Sequence, residues 1–455
     1  MRKTSFALAL LSAAVLAACG GGGNGPSAGN QTPTFTFSSE VSFGDSLSDV
    51  GSYAVGAVKQ LGGGKFTING NNTATNPELT GRNWTEVVAA QLKLAAPCAA
   101  QTGLEGSAPG FNVPTAFFAN CTNYAQGGAR VSNPIGAHNK ANDPQMGALT
   151  VPMTTQVANH LAKNGGKFSG TELVTVLGGG GDILTMLSDL STKAIAAGTA
   201  AGAQTFATSL ATQLAAGATN PATAAPQIGL AIQTEAARPG HTDDSVVMAA
   251  LTAAAKAGNT AALSSTVYLP IVAKAKADAK TAGDKAGADY AAANGPAIVK
   301  AMGAAGAELA NLIKTQIVGK GANYVVLANL PDVAGTPSSK AQSAGSQALI
   351  GAAVDAFNAQ LKTAVAGEAK ILYVDLWSIS HDQVINPAPY GLSNTSTPAC
   401  GPNPLNASSL VCNGTNLIAG DVSHYMFADD VHPTPFENAL IARYVLEQMA
   451  IKGWL

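Results

Sequence analysis

The chain has 455 residues, and its 25 Lys and Arg nearly balance its 27 Asp and Glu, which leaves a formal net charge of −2 at pH 7. This balance excludes the strongly basic surface that attracts nucleic acids or acidic membranes, so we expect no nucleic-acid partner. The length is sufficient for one large domain or two smaller ones.

Residues 1–19 have the pattern of an export signal. Two basic residues precede an apolar run over residues 6–16, which is too short to cross a bilayer. The segment ends in Leu-Ala-Ala-Cys, which resembles the lipobox of bacterial lipoproteins and implies lipidation of Cys19; secretion with cleavage at an Ala-x-Ala-like site is the alternative. Residues 20–33, rich in Gly, Asn and Ser, predict a flexible tether. We therefore expect an exported protein, periplasmic or on the outer membrane or cell surface, held to the membrane by a lipid on Cys19.

Four cysteines follow Cys19, and an even number in an exported chain indicates two disulfides, for which three pairings are possible. The local pairs, Cys98–Cys121 and Cys400–Cys412, are favoured because each closes a loop rich in Pro, Gly and Asn. The sequence contains neither a Cys-x-x-Cys motif nor His residues at zinc spacing, so we predict no metal site.

Short, mostly apolar runs predict the strands of a parallel α/β sheet. Their composition is typical of strands buried on both faces, and they cover residues 41–43, 173–177, 324–328 and 371–376. The spacing of apolar residues predicts helices at residues 53–60, 84–94, 151–161, 347–365 and 440–449. Gly-rich turns directly follow two of the strands, which places the functional site at the carboxyl edge of the sheet.

Ser46 is the candidate nucleophile. It lies two residues after Gly44, which allows a tight turn at the end of the first predicted strand. We expect Ser46 where the strand gives way to a helix, with an exposed Oγ and with the backbone N–H groups of the helix start nearby to stabilise an oxyanion. The alternative is an N-capping Ser on an ordinary turn.

His432 is the candidate base, because a serine hydroxyl is a poor nucleophile until a base takes its proton. Asp429 lies three residues before it, a spacing that can place a carboxylate against the imidazole Nδ1–H and fix the tautomer. Asp430 is the rival for this role, but the shift of one residue points its side chain elsewhere. The other five histidines lack this arrangement, and we predict that they lie on the surface.

Three motifs occur in order along the chain. Residues 43–49 read Phe-Gly-Asp-Ser-Leu-Ser-Asp, residues 123–129 read Asn-Tyr-Ala-Gln-Gly-Gly-Ala, and residues 427–434 read Phe-Ala-Asp-Asp-Val-His-Pro-Thr. With further matches at residues 329–337 and 386–400, they resemble the sequence blocks of the GDSL family of esterases and lipases, within the SGNH hydrolases. The resemblance implies a three-layer α/β/α fold with a mainly parallel sheet, and hydrolysis of carboxylic esters through an acyl-enzyme without a cofactor.

The resemblance also implies roles for individual residues. Ser46, Asp429 and His432 correspond to the catalytic triad, and the backbone N–H groups of Ser46 and Gly128 correspond to donors of the oxyanion hole. The family's third block reads Gly-x-Asn-Asp, and its Asn amide is a further donor, but this chain has Gly181 at that position. Loss of one such donor typically lowers the rate about 10²- to 10³-fold. The resemblance therefore predicts that Gly181→Asn folds and raises kcat.

Three functions stay open from the sequence. The first is an esterase or lipase, and the second is a phospholipase or lipid acyltransferase. The third is a surface lipoprotein whose chemistry is weak or silent because Gly181 replaces the family's Asn. We expect a monomer whose partner is an ester or lipid substrate.

Residues 183–319 form an Ala-, Gly- and Thr-rich stretch that the family lacks, and we predict a helical insertion in a hydrolase domain of residues 34–455. Ala and Lys favour helix, and prolines suit a first helical position. The predicted helices cover residues 184–217, 244–256, 270–293 and 296–318. The insertion is either a spacer or a lid over an acyl pocket.

Overall fold

Within residues 35–70 and 81–455, which the computed structural model describes, six strands form two sheets. In chain order they are β1 (Glu40–Gly44), β2 (Gln101–Glu105), β3 (Asn112–Phe117), β4 (Leu173–Leu177), β5 (Tyr324–Ala328) and β6 (Ile371–Val374). The central sheet is parallel, in the order β1-β4-β5-β6, and β2 and β3 form a separate antiparallel hairpin. The four central strands agree with the prediction, whereas the sequence analysis did not predict the hairpin.

Helices lie between these strands and after β6. They are α1 (Gly56–Gln60), α2 (Trp84–Gln91), α3 (Met153–Lys163), α4 (Gly180–Ala215), α5 (Pro221–Ala236), α6 (Asp243–Lys256), α7 (Ser265–Leu312), α8 (Pro337–Lys340), α9 (Ala344–Ala364), α10 (Leu376–Ile385) and α11 (Pro435–Ile451). The predicted segments 84–94, 151–161, 347–365 and 440–449 correspond to α2, α3, α9 and α11, with ends that differ by a few residues.

The central sheet is covered on both faces, so the fold is the predicted three-layer α/β/α arrangement. Alternate side chains of each strand point to opposite faces. On β4, Val174 and Val176 join a core with α3, α4, α7 and α9, while Leu173 and Leu177 join a second core with α2 and α11. Burial on both faces explains why the strands are almost wholly apolar in sequence.

The insertion is built on two long antiparallel helices, α4 with 36 residues and α7 with 48 residues. They pack closely because glycines face each other: a Cβ on Gly198 would lie 2.8 Å from the carbonyl oxygen of Gly283. The half of this pair far from the sheet packs with α5 and α6 around a separate core that includes Leu210, Ile228 and Leu251. The insertion therefore has a hydrophobic core of its own.

The prediction for the insertion was wrong in two respects. Pro270 and Pro296 do not begin helices but lie inside the continuous helix α7. An interior Pro costs about 3 kcal/mol or more, and packing of α7 along α4 and α9 offsets that cost. The helix α5 was missed, although Pro221 occupies its first turn and buried residues recur at Ala224 and Ile228.

Both disulfides join the locally paired cysteines. Cys98 is bonded to Cys121 with a Cα–Cα distance of 5.0 Å, and Cys400 to Cys412 with a distance of 5.9 Å. The first bond lies beside the edge of the sheet, where Asn123 forms a parallel bridge with Ser42 of β1. No helix in the described part of the chain is long and apolar enough to cross a membrane. The predicted signal and tether, including Cys19, lie outside the described residues.

Glu437, near the start of α11, is a buried carboxyl whose charge opposes folding. Its side chain is 3% exposed, and among the described residues its Oε2 has no hydrogen-bond partner. Burial raises the pKa of Glu437 to about 8. Between pH 4.5 and 8 the carboxyl is therefore ionised in the unfolded chain but protonated in the fold, so the free energy of unfolding falls as pH rises through this window.

We expect Glu437→Gln to be more stable than the wild type at pH 8 and to differ less at pH 5. The uncharged amide does not titrate, so the gain at pH 8 should be on the order of 2–4 kcal/mol. Thermal and urea unfolding at the two pH values measure the difference. Glu447→Gln, at an exposed position of the same helix, is the control. An equal effect of both substitutions, or a gain independent of pH, would contradict the assignment.

Candidate active site

Ser46 lies at the tip of a turn that follows β1 directly. The turn is held by Asp45, which accepts the N–H of Leu47 on Oδ1 at 3.1 Å and the N–H of Ser48 on its carbonyl at 3.2 Å. The expectation of a helix beginning at Ser46 was wrong, because the first described helix after β1 is α1, which begins at Gly56. The donors nearest to Ser46 therefore belong to turns and not to a helix of the first motif.

Gly44 permits the close approach that brings this turn to the sheet edge. A Cβ at this position would lie 2.1 Å from the carbonyl oxygen of Leu177, the last residue of β4. Asp45 then reaches across to α4, where its Oδ2 accepts the N–H of Gly180 at 3.0 Å. Burial raises the pKa of Asp45 to about 6. Its two oxygens thus tie the turn of the nucleophile candidate to the loop after β4.

The structure brings the three candidate catalytic side chains into one chain of hydrogen bonds. The Oγ of Ser46 lies 2.9 Å from Nε2 of His432. On the other side of the ring, Nδ1 lies 2.9 Å from both carboxylate oxygens of Asp429. A hydroxyl, an imidazole and a carboxylate in this order are the arrangement in which the imidazole can take the hydroxyl proton.

Asp429 is held by backbone donors from two segments. Its Oδ1 accepts the N–H of Val431 at 3.0 Å and that of His432 at 2.8 Å, and its Oδ2 accepts the N–H of Ser409 at 2.8 Å. Burial raises the pKa of Asp429, but the charge and hydrogen bond of His432 and the hydrogen bond from the N–H of Ser409 outweigh burial and hold the pKa well below its usual range. Asp429 is therefore a carboxylate, and it is Asp429 rather than Asp430 that meets the imidazole.

Two backbone N–H groups, those of Ser46 and Gly128, are candidates for the oxyanion hole. Ser46 and Gly128 line the same cavity, and within the described residues neither N–H has a hydrogen-bond acceptor. The neighbouring N–H of Gly127, by contrast, donates to Oδ2 of Asp49 at 2.9 Å. Gly128 has φ +76, and a Cβ there would lie 2.4 Å from the carbonyl oxygen of Ala137. This position therefore requires glycine.

Gly181 lines this cavity too, but the structure contradicts the expectation that an Asn fits there. A Cβ at Gly181 would lie 2.1 Å from the carbonyl oxygen of Ala129 and 2.8 Å from that of Gly128. The first turn of α4 packs directly on the backbone of the second motif. The side chain of Asp182 stabilises this contact by accepting the Nε–H of Arg130 at 2.9 Å. Glycine at position 181 is therefore a consequence of packing.

Polar residues of the first two motifs connect them to each other. Asp49 is buried and accepts the N–H groups of Gly51 and Gly127, at 2.8 and 2.9 Å. Asn123 donates its side-chain amide to the carbonyl oxygen of Ser48 at 2.9 Å. These bonds fix the loop that carries Gly128 relative to the turn that carries the nucleophile candidate. The sequence analysis assigned no role to these polar residues, since a bond between two loops leaves no trace in local spacing.

The cavity in front of Ser46 has a volume of about 370 Å³. One wall is the loop closed by the disulfide Cys400–Cys412, which contributes residues 405–408. Another is Phe66, whose ring centroid lies 5.0 Å from that of His432. The sequence analysis missed both walls. Phe66 and residues 405–408 are far apart in the sequence and come together only in the fold.

The sequence analysis placed the other five histidines on the surface. The prediction that His160 lies on the surface was wrong: it is 4% exposed, stacks on Phe168 with ring centroids 4.4 Å apart, and burial lowers its pKa to about 4. His138 lies at the cavity rim and pairs with Asp143 at 3.0 Å. The histidine that contacts Ser46 is His432.

Comparisons with known proteins find distant relatives of this chain. The GDSL esterase/lipase At2g40250 of Arabidopsis thaliana is 36% identical over 81 residues, which are 18% of this chain and 22% of the relative. The GDSL esterase/lipase APG of the same plant is 24% identical over 144 residues, 29% of this chain and 41% of the relative. GDSL esterase/lipase 7 is 29% identical over 173 residues, 36% of this chain and 44% of the relative.

The chain thus spans less than half the length of these curated relatives. No family model matches it. Three findings together support a hydrolase of the GDSL family. They are the parallel α/β/α fold, the Ser-His-Asp arrangement at the carboxyl edge of the sheet and several distant GDSL relatives.

Proposed function

We propose that the protein is a serine hydrolase that cleaves carboxylic esters through an acyl-enzyme. The observation that carries the proposal is the 2.9 Å distance between Ser46 Oγ and His432 Nε2, with the carboxylate of Asp429 on the opposite ring nitrogen. The relatives named as esterases or lipases support the same reaction class.

In the first half of the reaction, His432 takes the proton of Ser46 Oγ as that oxygen attacks the ester carbonyl carbon. The carbonyl oxygen becomes an oxyanion, which accepts hydrogen bonds from the N–H groups of Ser46 and Gly128. The C–O bond to the alcohol then breaks, and His432 returns the proton to the departing alkoxide. The products of this half are the free alcohol and an ester between the acyl group and Ser46.

In the second half, His432 takes a proton from a water molecule, and the resulting hydroxide attacks the acyl-enzyme. Collapse of the second oxyanion releases the carboxylic acid, and Ser46 regains its proton from the imidazolium. Asp429 stays ionised throughout, which stabilises the imidazolium of both halves. The protein's residues supply every proton transfer in this scheme.

The rival interpretation is a surface lipoprotein with little or no catalytic activity. It depended on the idea that Gly181, in place of Asn, removes a donor from the oxyanion hole. Two arguments favour the enzyme. The hydrogen-bond chain of the three catalytic candidates is complete, and the close packing of Gly181 on the Ala129 carbonyl gives the glycine a structural cause.

A fluorophosphonate probe should label the wild-type chain at Ser46 and should not label Ser46→Ala. The reason is that such probes react with a serine whose proton a neighbouring base removes. Gel fluorescence and peptide mapping measure the label, and hydrolysis of p-nitrophenyl butyrate should fall about 10⁶-fold in the variant. Ser408→Ala, which removes another hydroxyl in the same cavity, is the control and should keep the label. Equal labelling of Ser46→Ala and wild type would refute the proposal.

A further inference from the structure

A second cavity begins where the catalytic cavity ends. Leu184, one turn into α4, lines both of them. At the same boundary, Asp430 lines the catalytic cavity, and its carbonyl oxygen accepts at 3.1 Å the N–H of Ser338, which lines the second cavity. The two spaces are therefore neighbours across a single side chain and one backbone hydrogen bond.

The second cavity has a volume of about 980 Å³ and lies between α4, α7 and the start of α9. Its apolar lining includes Leu187, Val299 and Leu349, and among the described residues that line it none carries a charge. From Leu184 to Ala194 it follows ten residues of α4, a distance of about 15 Å at 1.5 Å per residue. We call this space the α4–α7 groove.

A third cavity, of about 960 Å³, continues along the same pair of helices. It shares Ser191, Ala194 and Ala288 with the α4–α7 groove, but it also has charged lining residues such as Lys276 and Asp284. The uncharged lining therefore ends near Ala194.

We propose that the α4–α7 groove binds the acyl chain of the ester, so that the substrates are esters of long, unbranched fatty acids. This inference rests on the proposed function, since it takes the acyl carbonyl to lie at Ser46. The groove adjoins the catalytic cavity at Leu184, follows about 15 Å of α4 and has no charged residue among its described lining residues, which matches an alkyl chain. Each methylene buried there can raise affinity about fourfold. The insertion then acts as the acyl-binding part of the enzyme.

The first test compares hydrolysis of p-nitrophenyl palmitate and butyrate. Ala194→Trp fills the far end of the groove, some 15 Å of helix beyond Leu184. It should lower the ratio of kcat/KM for palmitate to that for butyrate at least tenfold. Ala196→Trp, at an exposed position of the same helix that lines neither cavity, is the matched control and should keep the wild-type ratio.

The outcomes separate the two proposals. A wild type that hydrolyses neither ester refutes the proposed function. A wild type that hydrolyses butyrate only, or a ratio that Ala194→Trp leaves unchanged, refutes the groove while the serine hydrolase stands.

A second test uses the wild-type protein, so its result does not depend on the folding of a variant. A phosphonate with a 16-carbon chain and a terminal diazirine reacts with Ser46, and light then links the chain end to its neighbours. Peptide mapping should find the links in residues 184–194 and 288–299. Links confined to the loop 400–412 or to the hairpin β2–β3 would overturn the groove, and failure to label Ser46 would overturn the proposed function instead.

Discussion

Asp429→Asn should lower kcat for ester hydrolysis about 10⁴-fold and change KM little. The carboxylate of Asp429 accepts Nδ1–H of His432 and so leaves Nε2 without a proton, facing Ser46 Oγ at 2.9 Å. An amide can donate to Nδ1 and thereby stabilise the other tautomer, in which Nε2 carries the proton and cannot act as a base; this change costs about four orders of magnitude in serine hydrolases. Steady-state kinetics with p-nitrophenyl butyrate measure the effect.

The adjacent carboxylate provides the control for this experiment. Asp430 also lines the cavity, but it is Asp429 that meets the imidazole. Asp430→Asn should therefore stay within about tenfold of wild-type kcat, since no proton transfer passes through it. Thermal unfolding of both variants tests whether loss of activity merely follows loss of structure. A similar fall in both variants, or a fall in Asp429→Asn that its lower stability accounts for, would refute the assignment of Asp429.

The catalytic candidates could be named from the sequence because each lies in one of the motifs that resemble the GDSL family, and each motif is a short local segment. Asp429 and His432 are three residues apart on one loop, and Ser46 follows a strand at a glycine that the sheet edge requires. The central strands were predictable for a different reason. Both faces of each are buried, so the runs are mostly apolar and contrast with the Ala-rich helices around them.

Features that depend on contacts between segments far apart in the sequence were not predictable. Nothing near Ser409 in sequence indicates that its N–H will meet Asp429, because the contact forms only when the disulfide loop folds over the site. The continuity of α7 through Pro296 was missed for a similar reason, since local propensity predicts a break and the packing on α4 and α9 overrides it. The turn at Ser46 replaced the expected helix because the carboxylate of Asp45 holds it.

Gly181 is the position where the family pattern and the structure make opposite predictions. The pattern predicts that an Asn restores an oxyanion donor and raises kcat. The structure predicts a clash, because any side chain begins with a Cβ that would lie 2.1 Å from the Ala129 carbonyl oxygen. Overpacking of this kind typically costs about 1–3 kcal/mol, occasionally more. It would also displace the loop that carries Gly128, whose N–H is a candidate oxyanion donor.

We therefore expect Gly181→Ala and Gly181→Asn both to unfold at lower temperature than the wild type and to have lower kcat. Gly229→Ala is the matched control: this glycine also lies in a helix, but a Cβ there meets open space. It should be neutral or more stable by up to about 1 kcal/mol, since alanine favours helix. Calorimetry and p-nitrophenyl butyrate kinetics on the three variants distinguish the two predictions. If Gly181→Asn melts with the wild type and kcat rises, α4 does not pack on the second motif as closely as the structure has it, and the missing donor is a real deficiency. If Gly181→Ala alone is tolerated, the clash is relieved by a small shift of the loop, and the loss in Gly181→Asn comes from the amide group.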